Sequence, residues 1–144
     1  MSREPTQPAS PGPPQGGPAP VSRPRILIVE DEADLAWVEQ FNLEAEGYEV
    51  RVVHEGRTAL RALEEFRPHL LLLDVMLPQV DGWSILQRAR ALPPDRRPRV
   101  AVVSAVAGVE EAARVEGVGD AFIPKPFDIE ELVRVVKETL RGGR

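Results

Sequence analysis

From Arg25 onward the chain alternates short unbroken apolar runs with longer segments of helical spacing. Ile26-Leu27-Ile28-Val29, Leu70-Leu71-Leu72-Leu73 and Val100-Ala101-Val102-Val103 have no polar interruption. Strands exposed on one face alternate apolar and polar residues, whereas strands covered on both faces do not, so these blocks predict the centre of a parallel sheet. Val50-Arg51-Val52-Val53 and Ala121-Phe122-Ile123 are weaker runs, predicted as strands nearer the sheet edges. Helices are predicted between them. One covers 33–46 and is closed by Gly47. The next, 57–66, places Leu60 and Leu63 on one face and must stop before Pro68. A third, 83–92, is closed by Pro93-Pro94, and a fourth, 109–116, stops before Gly117. The last, 128–141, carries Ile129, Leu132, Val133, Val136 and Leu140 at helical spacing, with Asp128 as its N-cap. A β-α rhythm repeated through the chain predicts an α/β fold: one doubly wound five-stranded parallel sheet between helical layers.

Residues 1–24 break this pattern. They hold eight of the 15 prolines and only Met1 and Val21 as large apolar side chains. Such a stretch cannot bury enough surface to offset the entropy of ordering it, so a disordered, partly polyproline-like tail is expected ahead of a domain over 25–141. Residues 142–144 are expected to be a short C-terminal tail, too short for an effector domain. Hydrophobic residues make up 42% and charged residues 28%, ordinary values for a domain with a real core. A net charge of −5 argues against a direct nucleic-acid grip, which needs a basic stripe to displace phosphate counterions. The absence of Cys excludes disulfides, thiolate metal sites and a Cys nucleophile, and two His residues are too few for a His-built metal site. No apolar run is long enough to span a membrane, and the first residues contain no secretory signal, so a cytoplasmic location is expected.

Ligands of open α/β sheets bind at the carboxyl ends of the strands. The first strand is followed by Glu30-Asp31, the third by Asp74, the fourth by Ser104 and the fifth by Lys125. Singly, each could be a helix cap, a turn residue or a solvated charge. Together they gather at one edge. Two unit charges ~5 Å apart cost roughly 3 kcal/mol at an effective dielectric near 20, so three carboxylates there must take up a proton or a cation. Oxygen ligands without His or Cys suit Mg²⁺, with Mn²⁺ as the alternative. Lys125 adds a point charge and Ser104 a hydroxyl, which completes a constellation for phosphoryl transfer in which a carboxylate can be the nucleophile.

At these residues the sequence resembles the receiver domain of bacterial two-component response regulators, the chemotaxis receiver among them, over residues 25–141. The resemblance rests on Ile26-Leu27-Ile28-Val29-Glu30-Asp31-Glu32, Leu72-Leu73-Asp74-Val75-Met76-Leu77-Pro78, Asp81-Gly82 and Lys125-Pro126-Phe127. It implies a flavodoxin-like sheet of strand order 2-1-3-4-5. It also implies that Asp74 accepts a phosphoryl group from a sensor histidine kinase or phosphotransfer protein. Asp31 would ligate the metal directly and Glu30 through water, with Asp74 and the backbone carbonyl of Met76 as further ligands. Ser104 and the backbone N–H of Ala105 would bond phosphoryl oxygens, and Lys125, after a cis bond to Pro126, would pair with the phosphoryl group. Phe122 stands where the family has its switch aromatic, with a plain core aromatic as the alternative reading. The output face, built from the 109–116 helix, the fifth strand and the last helix, would meet a downstream protein target or a second phosphorylated copy.

Two features depart from the family pattern. Ser104 to Lys125 spans 21 positions, about one fewer than the resemblance implies, and Gly117-Val118-Gly119-Asp120 leads into the fifth strand where Gly-Ala-Asp is usual. Both fall in the output face. Met76 and Val106, two positions beyond Asp74 and Ser104, have side chains that can neither orient nor deprotonate an attacking water, so slow self-dephosphorylation is expected. A haloacid-dehalogenase-like phosphatase would need a second Asp where Met76 stands. A flavodoxin-like cofactor domain would not place Glu30-Asp31 against a phosphate. The remaining alternative is a receiver-like protein-interaction module that acts without phosphorylation.

Overall fold

The structure is a computed structural model that describes residues 23–74, 82–105 and 119–142. The apolar runs form five strands: β1 (Arg25–Val29), β2 (Glu49–Val53), β3 (Leu70–Asp74), β4 (Arg99–Ser104) and β5 (Ala121–Pro124). They make one sheet of order β2-β1-β3-β4-β5, with every pair parallel. Successive side chains along a strand point to opposite faces, so an unbroken run supplies two cores. Leu27, Val29, Leu71, Leu73, Val100 and Val102 form one layer, covered by α2 (Gly56–Glu65) and α3 (Gly82–Arg90). Ile26, Ile28, Leu70, Leu72, Ala101 and Val103 form the other, covered by Leu43 of α1 (Ala33–Ala45) and Leu132 and Val136 of α4 (Ile129–Leu140). The two weaker runs lie at the sheet edges, as their composition predicts.

The helix ends follow local chemistry. Gly47 takes a left-handed φ of 99°, and its N–H donates to the Glu44 carbonyl to close α1. The third helix begins at Gly82 and ends at Arg90, short of the expected 92. Ala91 and Leu92 turn off in tightened bonds to Gln87, Arg88 and Ala89, and Pro94–Arg96 forms a 3₁₀ turn that the sequence reading missed. Proline pre-sets the backbone for the first position of such a turn, so Pro93-Pro94 both stops one element and opens another. Asp128 holds the N-cap position of α4, but its exposed carboxylate makes no capping bond; its carbonyl accepts the Leu132 N–H at 3.1 Å. The predicted helix 109–116, Met76, Val106, the 75–81 part of the matched motifs and residues 1–22 of the predicted tail lie outside the described residues.

Candidate functional site

A parallel sheet brings every strand's carboxyl end to one edge, and there the polar residues converge. The chain leaves β1 through Glu30, whose N–H donates to the Val53 carbonyl at 3.1 Å and whose own carbonyl accepts from His54 Nδ1 at 2.9 Å. Glu30 folds back on itself: its Oε2 accepts the Glu32 N–H at 3.3 Å, which leaves the side chain only 2% exposed. Asp74 closes β3 in register with Val103 and is 5% exposed. Ser104 ends β4 and is buried, and its carbonyl accepts the Lys125 N–H at 3.0 Å. That bond, beside a cis Lys125–Pro126 peptide, sets the origin of the lysine side chain. Lys125 Nζ lies 2.9 Å from Asp74 Oδ2 and 3.5 Å from Glu30 Oε2.

The carboxylates of Glu30, Asp31 and Asp74 each offer an oxygen, all within 4.8 Å of one another, with Asp31 on the exposed side. One lysine cannot neutralise three such groups. Burial above all, then the Asp74 charge, pushes Glu30 up to about 7 against the pull of Lys125. Burial works to lower Lys125, but its hydrogen bond to Asp74 and the charges of Glu30 and Asp74 outweigh that and hold its pKa above the usual value. This donor set fits a small hard cation: three carboxylates, no thiolate, and a buried carboxyl whose raised pKa a divalent charge would lower.

Four of the residues singled out from sequence thus meet directly: Glu30, Asp31, Asp74 and Lys125. Ser104 and the exposed Ala105 stand on the same edge. Phe122 is half-buried against the α2–α3 core layer, and a Cβ on Gly119 would come within 2.8 Å of its ring. Sequence reasoning missed Glu39. It is 1% exposed, both carboxyl oxygens lack a hydrogen-bond partner among the described residues, and burial, then the Glu30 charge, push it up to about 8. Its spacing with Ala36 and Leu43 puts it on one helix face, but the large apolar Trp37 and Phe41, which are exposed, mark a different face in sequence.

A family profile for the response regulator receiver domain matches residues 26–137. The chain is 40% identical over 124 residues to the phosphate regulon transcriptional regulatory protein PhoB of Rhizobium meliloti, covering 84% of this chain and 54% of that protein. It is 38% identical to the transcriptional regulatory protein PrrA of Mycobacterium leprae, over 84% of this chain and 52% of PrrA. The chain therefore spans about half the length of the curated relatives it matches. Among solved structures, a CheY-like response regulator receiver domain protein from Methanospirillum hungatei superposes with a TM-score of 0.77 at 31% identity, covering 85% of this chain and 97% of that one. The receiver domain of a Pseudomonas aeruginosa sensor histidine kinase, with magnesium coordinated in its active-site cleft, gives 0.71 at 28% identity, over 83% and 98%. Among the described residues no helix is long and apolar enough to cross a membrane. With sheet order, family profile, relatives and solved neighbours in agreement, the chain belongs to the response regulator receiver domain family.

Proposed function

We propose that Asp74 is the phosphoacceptor of this receiver. The observation that carries the reading is the buried Asp74 carboxylate held at 2.9 Å by Lys125 beside the Glu30-Asp31 pair. A carboxylate oxygen of Asp74 attacks the phosphorus of a phosphohistidine on a sensor kinase or phosphotransfer protein. The new O–P bond forms as the P–N bond breaks, and the imidazole leaves. Lys125 gives up its contact with Asp74 for a phosphoryl oxygen, and the Ser104 hydroxyl and Ala105 N–H donate to the others. Asp31 directly, Glu30 through water, Asp74 and the Met76 carbonyl would hold Mg²⁺ (or Mn²⁺), which supplies positive charge to the transferring oxygens. Once Ser104 is drawn to the phosphoryl group, Phe122 turns into the space it leaves, a two-state element that alters the output face.

The domain so proposed covers residues 25–141, with the tails outside it. Its partners are the phosphodonor and a downstream target, and a phosphorylation-dependent homodimer is a further form. Relatives are named transcriptional and DNA-binding regulators; this receiver, at net charge −5, is assigned no DNA contact of its own through its acidic edge. Treatment with acetyl phosphate and Mg²⁺ is expected to give a phosphoryl adduct by intact-mass spectrometry that is absent in Asp74→Asn. An unmodified wild-type chain under acetyl phosphate and under several kinases would leave the phosphorylation-independent interaction module instead. Decay of the adduct is expected to be slow, and faster in a Met76→Asn, Val106→Glu double variant.

A further inference from the structure

The other edge of the sheet, where the strands begin, carries a second concentration of charge. A cavity of about 430 Å³ lies between the entry to β1, the α2–β3 connection, the 3₁₀ turn and the end of α4. Five guanidinium-bearing residues line it, Arg25, Arg67, Arg96, Arg97 and Arg99, against one carboxylate, Asp95. The chain as a whole is at −5, so this wall runs opposite to the molecule's overall charge. Among the described residues none of the five arginines is in an ion pair; the paired cations are Arg51, Arg88, Lys125, Arg134 and Lys137.

Two of the five are nevertheless held in place, by neutral partners. Arg25 Nε donates to the carbonyls of Phe66 and Arg67 at 2.9 and 3.0 Å, and its Nη2 to Arg67 at 2.8 Å. Arg97 donates Nε and Nη2 to the Leu92 carbonyl at 3.2 and 3.0 Å. Carbonyls fix the guanidinium planes without cancelling their charge, and Nη1 of each takes no part in these bonds. Arg67 itself stands at φ 52°, a left-handed backbone that costs a non-glycine residue energy. His69 Nδ1 accepts the Arg25 N–H at 2.9 Å, and burial, then the Arg25 charge, hold its pKa below the usual value.

We propose that this basal cavity binds a small anion carrying two or more phosphoryl groups. Planar guanidinium forks match phosphoryl oxygens in pairs, and five cations against one carboxylate exceed what a single phosphate needs. The volume falls within the ~300–1,000 Å³ range of small-molecule sites. Pro68 and Leu140 add an apolar wall for any nucleoside attached to the phosphates. The shared chemistry is the oligophosphate; a nucleoside polyphosphate and an inorganic one are its two sources. At about 3.3 Å per residue, β3 separates this edge from Asp74 by roughly 16 Å, so the site is independent of the phosphoacceptor reading.

The test is an NMR titration of the full chain in EDTA with tripolyphosphate, with a nucleoside triphosphate, and with sulfate at matched ionic strength. Saturable shifts are expected at Arg25, His69 and Arg99, with sulfate at least about tenfold weaker. Arg96→Gln and Arg67→Gly, the latter compatible with the left-handed backbone, are each expected to weaken binding about fivefold or more, and Arg134→Gln to leave it unchanged. A nucleoside triphosphate binding tighter than tripolyphosphate assigns the apolar wall to a nucleoside; equal binding assigns the site to the phosphate chain alone. Shifts that do not saturate, sulfate equal to tripolyphosphate, or indifference to Arg96→Gln overturn the proposal. Duplex DNA binding tighter than either phosphate probe, through the same arginines, also overturns it.

Discussion

On α1 the inward positions are Ala36, Glu39 and Leu43, so a carboxyl stands where the packing asks for an apolar side chain. Among the described residues neither oxygen of Glu39 finds a donor, and the fold answers by keeping the proton: burial first, then the charge of Glu30, with smaller contributions from Asp74 and Glu32 against the pull of Lys125. The consequence for stability has a definite sign. In the unfolded chain Glu39 loses its proton near its ordinary value of 4.5, and in the folded chain at about 8. Between those values the folded state binds more protons, so stability is greatest below the lower one and is lost as pH rises towards the upper one. Glu30, pushed up to about 7 chiefly by burial, acts in the same direction. Urea unfolding is expected to show a loss on the order of 3 kcal/mol from Glu39 alone between pH 5 and pH 8, with a smaller share from Glu30 added to it. In Glu39→Leu the share of Glu39 disappears, that of Glu30 remains, and the protein is more stable at pH 8. A wild-type curve flat over this interval would mean that Glu39 is solvated or paired in solution.

At the level of elements, β5 is the most exposed to disturbance, because it is four residues long and pairs only with β4. Asp120 compensates at its entrance. Its N–H donates to the Val100 carbonyl and its Oδ2 accepts the Val100 N–H, both at 2.8 Å, an exchange that extends the ladder by a side chain. Asp120→Ala strands the N–H of a buried β4 residue and is expected to cost about 1–3 kcal/mol, with faster hydrogen exchange along β4 and β5. One residue earlier, Gly119→Ala is expected to displace the Phe122 ring at a cost of about 1–3 kcal/mol, read as shifted Phe122 ring resonances. The strands were legible because each central run fills both core layers, a demand that leaves an unbroken apolar signature in sequence. The helix α1 was legible only in extent. Trp37 and Phe41, stacked at 5.3 Å, are 63% and 58% exposed while Glu39 is buried, so its apolar pattern points away from the face that packs. The 3₁₀ turn was hidden for a different reason: a Pro-Pro pair announces the end of a helix equally well whether or not a new turn begins there.

Across the whole molecule the parallel sheet sorts charge by edge, with the acidic trio where strands end and the arginine-lined cavity where they begin. The first half of that arrangement could be read from sequence, because the polar residue after each apolar run must fall at the same edge once the strands are parallel. The pairings could not. Lys125 bridging to Glu30 across the sheet depends on register and on the turn after β5, and the pKa of Glu30 depends on how deeply Glu32 lets it fold back. This electrostatic asymmetry makes the response to a divalent cation a property of the fold as a whole. Without one, Lys125 opposes three carboxylates among the described residues; with one, Glu30 ionises and the repulsion among them is relieved. Mg²⁺ at about 100 times its dissociation constant is expected to stabilise the folded chain by about 2.7 kcal/mol, and chelation with EDTA to remove that gain. For a domain of this size the gain corresponds to a rise in Tm of roughly 5–15 °C. Asp31→Asn is expected to abolish the increment with little effect on the metal-free melting point, since that carboxylate is exposed. Lys125→Ala should lower the metal-free melting point but enlarge the increment, because the cation then relieves repulsion that the lysine had been relieving. Equal increments in wild type and Asp31→Asn would place the metal elsewhere on the surface and remove the acidic edge from the account of phosphoryl transfer.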